Sequence, residues 1–144
     1  MVVYFSLGTN LGHKEENLRM AVSKIEERVG RVISLSAFYT TEPWGFSSEH
    51  SFLNAALGVE TELIPDEVLK LTQEIEQEMG RTLKSVNGVY HDRVIDIDLL
   101  LGFSDDGTPI RIDTPDLKLP HPLMLERDFV MKPLREIFQG NLYV

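Results

Sequence analysis

The chain contains no cysteine, which excludes a disulfide framework, a thiolate-held zinc and thiol catalysis together. That absence suits a reducing compartment, and the cytoplasm is the expected location. No window approaches the roughly 18–20 consecutive apolar residues of a membrane-spanning helix, and the N-terminus lacks the basic flank and cleavage site of a signal peptide. Positive charge is scarce: 14 Lys and Arg face 23 Asp and Glu, a net of −9 over 144 residues. An acidic surface repels polyanions, which argues against broad binding of nucleic acid or of an anionic membrane. Ten glycines, seven prolines and 8% aromatics fit neither a collagen-like nor a low-complexity chain. The 42% of hydrophobic residues can fill one core and are too few for two, so one domain over 1–144 is expected.

Val2 to Leu7 is a short β-prone run, with Gly8-Thr9-Asn10-Leu11-Gly12 as the turn that stops it. Leu18, Ala21, Val22, Ile25 and Val29 recur at helical spacing up to Gly30, and charged residues occupy most of the opposite side. Arg31 to Tyr39 is β-prone. A loop with Pro43 and Gly45 follows, and alternation resumes at Phe52. Pro65, then Asp66 and Glu67, open a second amphipathic helix that ends before Gly80. Val94 to Phe103 predicts a strand, Ile110-Arg111-Ile112 an edge strand, and Glu126 to Ile137 a last helix. Strand, helix, strand, strand, helix, strand, helix is the order of an α+β sandwich with an antiparallel-dominated sheet.

Three clusters can carry chemistry. In a strand, Asp96 and Asp98 share one face while Ile95, Ile97, Leu99 and Leu101 point to the other. Their Cα atoms would lie about 6.5–7 Å apart, a spacing that suits metals ~3.5–4 Å apart with Mg–O bonds of ~2.0–2.1 Å. A cation also relieves the repulsion of paired carboxylates; a solvated strand face is the plain alternative. Phe52 and Asn54 likewise share a face opposite Leu53, Ala55, Leu57 and Val59. A ring beside a carboxamide can stack on and hydrogen-bond a flat heterocycle, or be ordinary strand packing. Third, His121 between Pro120 and Pro122, with Arg127 and Phe129 downstream, offers donors to phosphate and a second ring. Arg81, Lys84, Arg93, Arg111, Lys118 and Arg127, with His91 and His121, gather the later half's positive charge into a candidate anion site. Gln73 and Glu76, one turn apart, read as an exposed polar face on their own. The early glycines do not form a phosphate loop, because the G-K-[ST] ending is missing.

In order along nearly the whole chain, Gly8 to Gly12, Thr40-Thr41-Glu42-Pro43-Trp44-Gly45, Phe52 to Ala56, Ile75-Glu76, Gly80-Arg81, Arg93 to Asp98, Leu119 to Pro122, and Glu126 to Val130 with Pro133-Leu134 resemble the 6-hydroxymethyl-7,8-dihydropterin pyrophosphokinases of the folate pathway. The resemblance implies a ferredoxin-like αβ sandwich that moves pyrophosphate from MgATP to the pterin hydroxymethyl group and releases AMP. It implies that Asp96 and Asp98 hold two Mg2+ ions brought with ATP, and that Arg81 and Arg93 join them in catalysis. Thr41, Pro43, Gly45 and Asn54 would read the pterin edge, with Phe52 and Phe129 on its two faces. Gln73, Glu76, Arg93, His121 and Arg127 would hold ATP. Arg81 to Asp92 would be a closing lid. Here Tyr90-His91-Asp92-Arg93 replaces the family's W-G-P-R, and Leu123 stands where arginine is frequent.

Two other classes share this element order. A ligand-binding module without chemistry would have no use for the Asp, Arg and His cluster. An RNA-binding sandwich would be expected to carry paired aromatics on one strand and a positive surface. The expected state is a monomer whose partners are ATP and the pterin.

Overall fold

The computed structural model describes residues 1–41, 51–80 and 94–143. Strand β1 (Val2–Thr9) leads to helix α1 (Lys14–Arg28), the short strands β2 (Arg31–Leu35) and β3 (Tyr39–Thr41), β4 (Phe52–Glu60), helix α2 (Pro65–Glu78) and β5 (Asp96–Phe103). A small hairpin of β6 (Ile112–Asp113) and β7 (Lys118–Leu119), a 3-10 turn at Met124–Glu126 and helix α3 (Asp128–Ile137) complete the described chain. The first five strands form one antiparallel sheet in the order β2-β4-β1-β5, with β3 also paired to β4. The expected α+β sandwich is found, but the strand expected over Arg31 to Tyr39 is split into β2 and β3, and the edge strand expected at 110–112 is instead β6, paired with β7.

Alternation in β1 splits the core. Val3, Phe5 and Leu7 face α1 and α2, where Leu18, Ala21, Ile25, Val68 and Ile75 meet Ala55, Leu57, Val59, Ile97 and Leu99. The opposite face is covered by α3, whose Val130 and Leu134 pack with Ala56, Leu100, Leu101, Met124 and Tyr143. Removing these apolar groups from water is the main force closing both layers. Helix α2 starts as expected, with Pro65 in the first turn beside Asp66 and Glu67. Just past its end, Gly80 adopts φ +98°, a left-handed geometry that a side chain would oppose. Glu78, its carboxyl held near pKa 2 chiefly by the hydrogen-bonded Arg28 guanidinium, ties α2 to α1.

Two further details differ from the sequence pattern. The expected turn at Gly8 is strand: β1 runs on through Gly8 and Thr9, because Gly8 pairs with Asn54 on one side and Asp96 on the other. In β5 the register slips, with Tyr4 opposite Leu101 but Phe5 opposite Leu99. The extra residue is Leu100. This bulge turns Leu101 away from the Ile97 face and into the second core with Leu100, so the alternation expected through Leu101 ends at Leu99.

Candidate active site

The register of the sheet assembles the site. Asn54, Gly8 and Asp96 lie in one row across β4, β1 and β5, and Ala56, Ser6 and Asp98 lie in the next row on the same face. With strands ~4.8 Å apart, Asn54 and Asp96 are separated by roughly two strand spacings, and the residues between them are small. A Cβ built on Gly8 would stand 3.0 Å from Asn54 Oδ1 and 3.5 Å from Phe52 Cδ1. Phe52 and Asn54 therefore overhang a floor of Ser6 and Gly8 that leads to the carboxylate pair. The buried Asn54 donates from Nδ2 to Thr41 Oγ1 at 2.6 Å, which fixes the orientation of its carboxamide.

Asp96 and Asp98 are half-buried on the outermost strand, on either side of the buried Ile97. From α2, Glu76 reaches the outer edge of this strand and accepts the Ile97 N–H at 2.8 Å. Glu76 is thus buried, 6% exposed, and not part of an exposed polar face; Gln73, one turn earlier, is exposed. A cavity of about 240 Å³ opens along this edge, lined by Asp98 together with Leu69, Ile97, Leu117, His121 and Pro122.

The β5 bulge also places the histidine. Leu100 O accepts the His121 N–H at 2.9 Å, and His121 Nδ1 accepts from the Leu123 N–H at 3.2 Å. Burial, and then the Arg127 charge, lower the His121 pKa to about 4, against the opposing pull of Asp96. At neutral pH the imidazole is uncharged, with its proton on Nε2 free to be donated. Arg127, 7% exposed at the start of α3, holds its guanidinium 5.7 Å from the centre of the Phe129 ring.

Thr41, Phe52, Asn54, Asp96, Asp98, His121, Arg127 and Phe129 therefore belong to one face or edge of the sheet, with Glu76 behind the strand that carries the aspartates. The candidate anion site is smaller than the sequence suggested: Arg111 lies over Tyr143, and Lys118, at the mouth of the cavity, pairs with Asp113. Pro43, Gly45, Arg81, Lys84, His91, Arg93 and the expected lid lie outside the described residues. Ser6 is the residue that reading by motif missed, and Gly8 entered that reading as a turn and a family-motif residue, not as part of a floor; small side chains at alternate positions of β1 were the signal for both.

Residues 4–139 match the family described as 7,8-dihydro-6-hydroxymethylpterin-pyrophosphokinase. The chain belongs to this family. Among similar members, the 2-amino-4-hydroxy-6-hydroxymethyldihydropteridine pyrophosphokinase of Porphyromonas gingivalis (strain ATCC 33277) is 51% identical over 136 residues, covering 94% of this chain and 90% of that protein. The enzyme of the same name from Bacillus subtilis (strain 168) is 41% identical, covering 96% and 78%. The fold of a pyrophosphokinase is matched in a structure described as HPPK-DHPS in complex with substrates, with a TM-score of 0.64 at 15% identity. Plasmodium falciparum HPPK-DHPS gives 0.65 at 14%. This chain spans 40% of each of those two longer chains, and the likeness identifies the ferredoxin-like sandwich expected from the sequence.

Proposed function

We propose that the protein transfers pyrophosphate from ATP to the hydroxymethyl group of 6-hydroxymethyl-7,8-dihydropterin, releasing AMP, as an ATP-dependent diphosphotransferase of folate biosynthesis. The reading is carried by one juxtaposition in a member of this family: a carboxylate pair and a ring-plus-carboxamide pair on the same sheet face, joined by a floor of small residues. Phe52 and Phe129 offer rings to the pterin, and Thr41 orients Asn54 toward its edge, with Pro43 and Gly45 assigned there by resemblance. The cavity beside Asp98, which His121 also lines, suits the nucleotide, with Gln73, Glu76 and Arg127 assigned to it by resemblance.

Among the described residues no three acidic or histidine side chains converge as a metal cage. Two carboxylates suit Mg2+ that takes its other ligands from substrate phosphates and water. Asp96 and Asp98 would hold two such ions, which when bound neutralise the triphosphate and align its oxygens. The chain's own contribution is positional: the sheet fixes where hydroxyl and phosphate meet, while His121 Nε2–H and Arg127 donate to phosphate oxygens. Arg81 and Arg93 are assigned to the same charge by resemblance. Asp98 is the candidate for accepting the hydroxyl proton. The protein would act as a cytoplasmic monomer of one domain, without nucleic-acid or membrane partners; no helix among the described residues is long and apolar enough to cross a membrane.

Mixing the protein with MgATP and 6-hydroxymethyl-7,8-dihydropterin and separating the products by chromatography tests this reading. AMP and the pterin diphosphate are expected in equal amounts. ADP would indicate a simple kinase, and binding without turnover a ligand-binding module.

A further inference from the structure

The carboxylate of Glu136, near the C-terminal end of α3, bridges two groups at the start of β3. Its Oε2 accepts the Ala37 N–H at 2.7 Å, and its Oε1 accepts the Tyr39 hydroxyl. One turn earlier, Lys132 Nζ lies 5.4 Å from the centre of the Tyr39 ring. Phe129, seven residues before Glu136, returns to nearly the same side of the helix, about 10.5 Å along its axis. One side of α3 therefore carries both the ring assigned to the pterin and the groups that grip the start of β3.

Strand β3 is three residues long and pairs with β4 alone. It is held at both ends by side chains: Tyr39 by Glu136, and Thr41 by the Asn54 carboxamide. Tyr39 stands opposite Asn54 in the ladder and Thr41 opposite Phe52. The grip on α3 and the aromatic-carboxamide pair are therefore set by the same three residues. Val130 and Leu134 bury α3 against the sheet, but apolar packing is non-directional and tolerates small slides and rotations that hydrogen bonds do not. Pro133 also lacks the N–H that would close the helix on the Phe129 carbonyl, which leaves the first turn less braced from within.

We propose that Tyr39 and Glu136 are positioning residues for the pterin: their bond, with that of Ala37, sets α3 over β3 and so fixes Phe129 against Phe52 and Asn54. The inference rests on the pterin assignment above. Both residues act through Phe129 and Thr41 and need not touch a ligand. Glu136 is exposed, so its loss should leave the fold intact while loosening the slot.

The test compares wild type with Glu136→Ala, Tyr39→Phe and Glu136→Gln, titrating 6-hydroxymethylpterin and a nonhydrolysable ATP analogue separately by calorimetry. Glu136→Ala should weaken pterin binding about five- to tenfold, about the worth of one hydrogen bond, and leave the ATP analogue within about twofold. Tyr39→Phe, which keeps the ring, should show a smaller loss of the same kind. Glu136→Gln should bind nearly as wild type, since its carboxamide can accept from Ala37 and donate to Tyr39. Equal weakening of both ligands, no weakening of either, or a Gln variant as impaired as Ala would overturn the proposal. Should Glu136→Ala prove unfolded by circular dichroism, Tyr39→Phe decides alone. Wild type that binds no pterin would instead overturn the assignment of the pterin site.

Discussion

Two carboxylates forced together by strand alternation repel in the metal-free protein, so Asp96→Asn or Asp98→Asn should hold or slightly raise stability to urea. Turnover should fall at least about a hundredfold, some 2.7 kcal/mol of transition-state stabilisation, because charge neutralisation matters most there. Steady-state kinetics over a magnesium series checks this; a folded variant with near wild-type rate and unchanged magnesium dependence would sink the role. The histidine supplies a second test. With its pKa near 4, below the ordinary value of about 6.5, its neutral burial stabilises the fold above pH 6.5, and that contribution is lost as pH falls through 4. An NMR titration of its Cε1 proton should give the low midpoint, and Arg127→Gln should move it upward. The stability difference between wild type and His121→Gln should shrink between pH 6.5 and 4.

At the scale of elements, β5 is held from outside by a helix side chain. Glu76→Ala would leave the buried edge N–H of Ile97 unmet and should cost about 1–3 kcal/mol, measured by urea unfolding; Glu76→Gln, which keeps an acceptor, should cost less. A loss confined to ATP affinity, with stability untouched, would contradict this bracing role. The same strand shows how far a pattern can be read. Asp96 and Asp98 were legible because alternation is strict up to Leu99, and Leu101 was not, because a bulge depends on the register of β1 opposite. Gly8 resembled a turn signal because glycine suits both a turn and a close approach of neighbours, and only the pairing with Asn54 and Asp96 separates the two. Glu76 looked solvated because its partner, a backbone N–H from 21 residues away, leaves no mark in the local sequence.

For the molecule as a whole, a net charge of −9 and an isoelectric point near 4.8 set its solution behaviour. Light scattering should show least solubility near pH 4.8, and neither DNA nor RNA should be retarded in a low-salt gel shift; a shifted band would mean that local positive charge outweighs the global field. Sedimentation at neutral pH should give a monomer. The central strand β1 has a further consequence for inhibitors. This one strand supplies both Val3, Phe5 and Leu7 to the larger core and the Ser6–Gly8 floor beneath the proposed substrates. A compound resting on that floor would press on backbone that also organises the fold. The simplest escape, a methyl group at Gly8, would crowd the Asn54 carboxamide that the substrate itself is proposed to need, so drug resistance arising there should carry a loss of fitness.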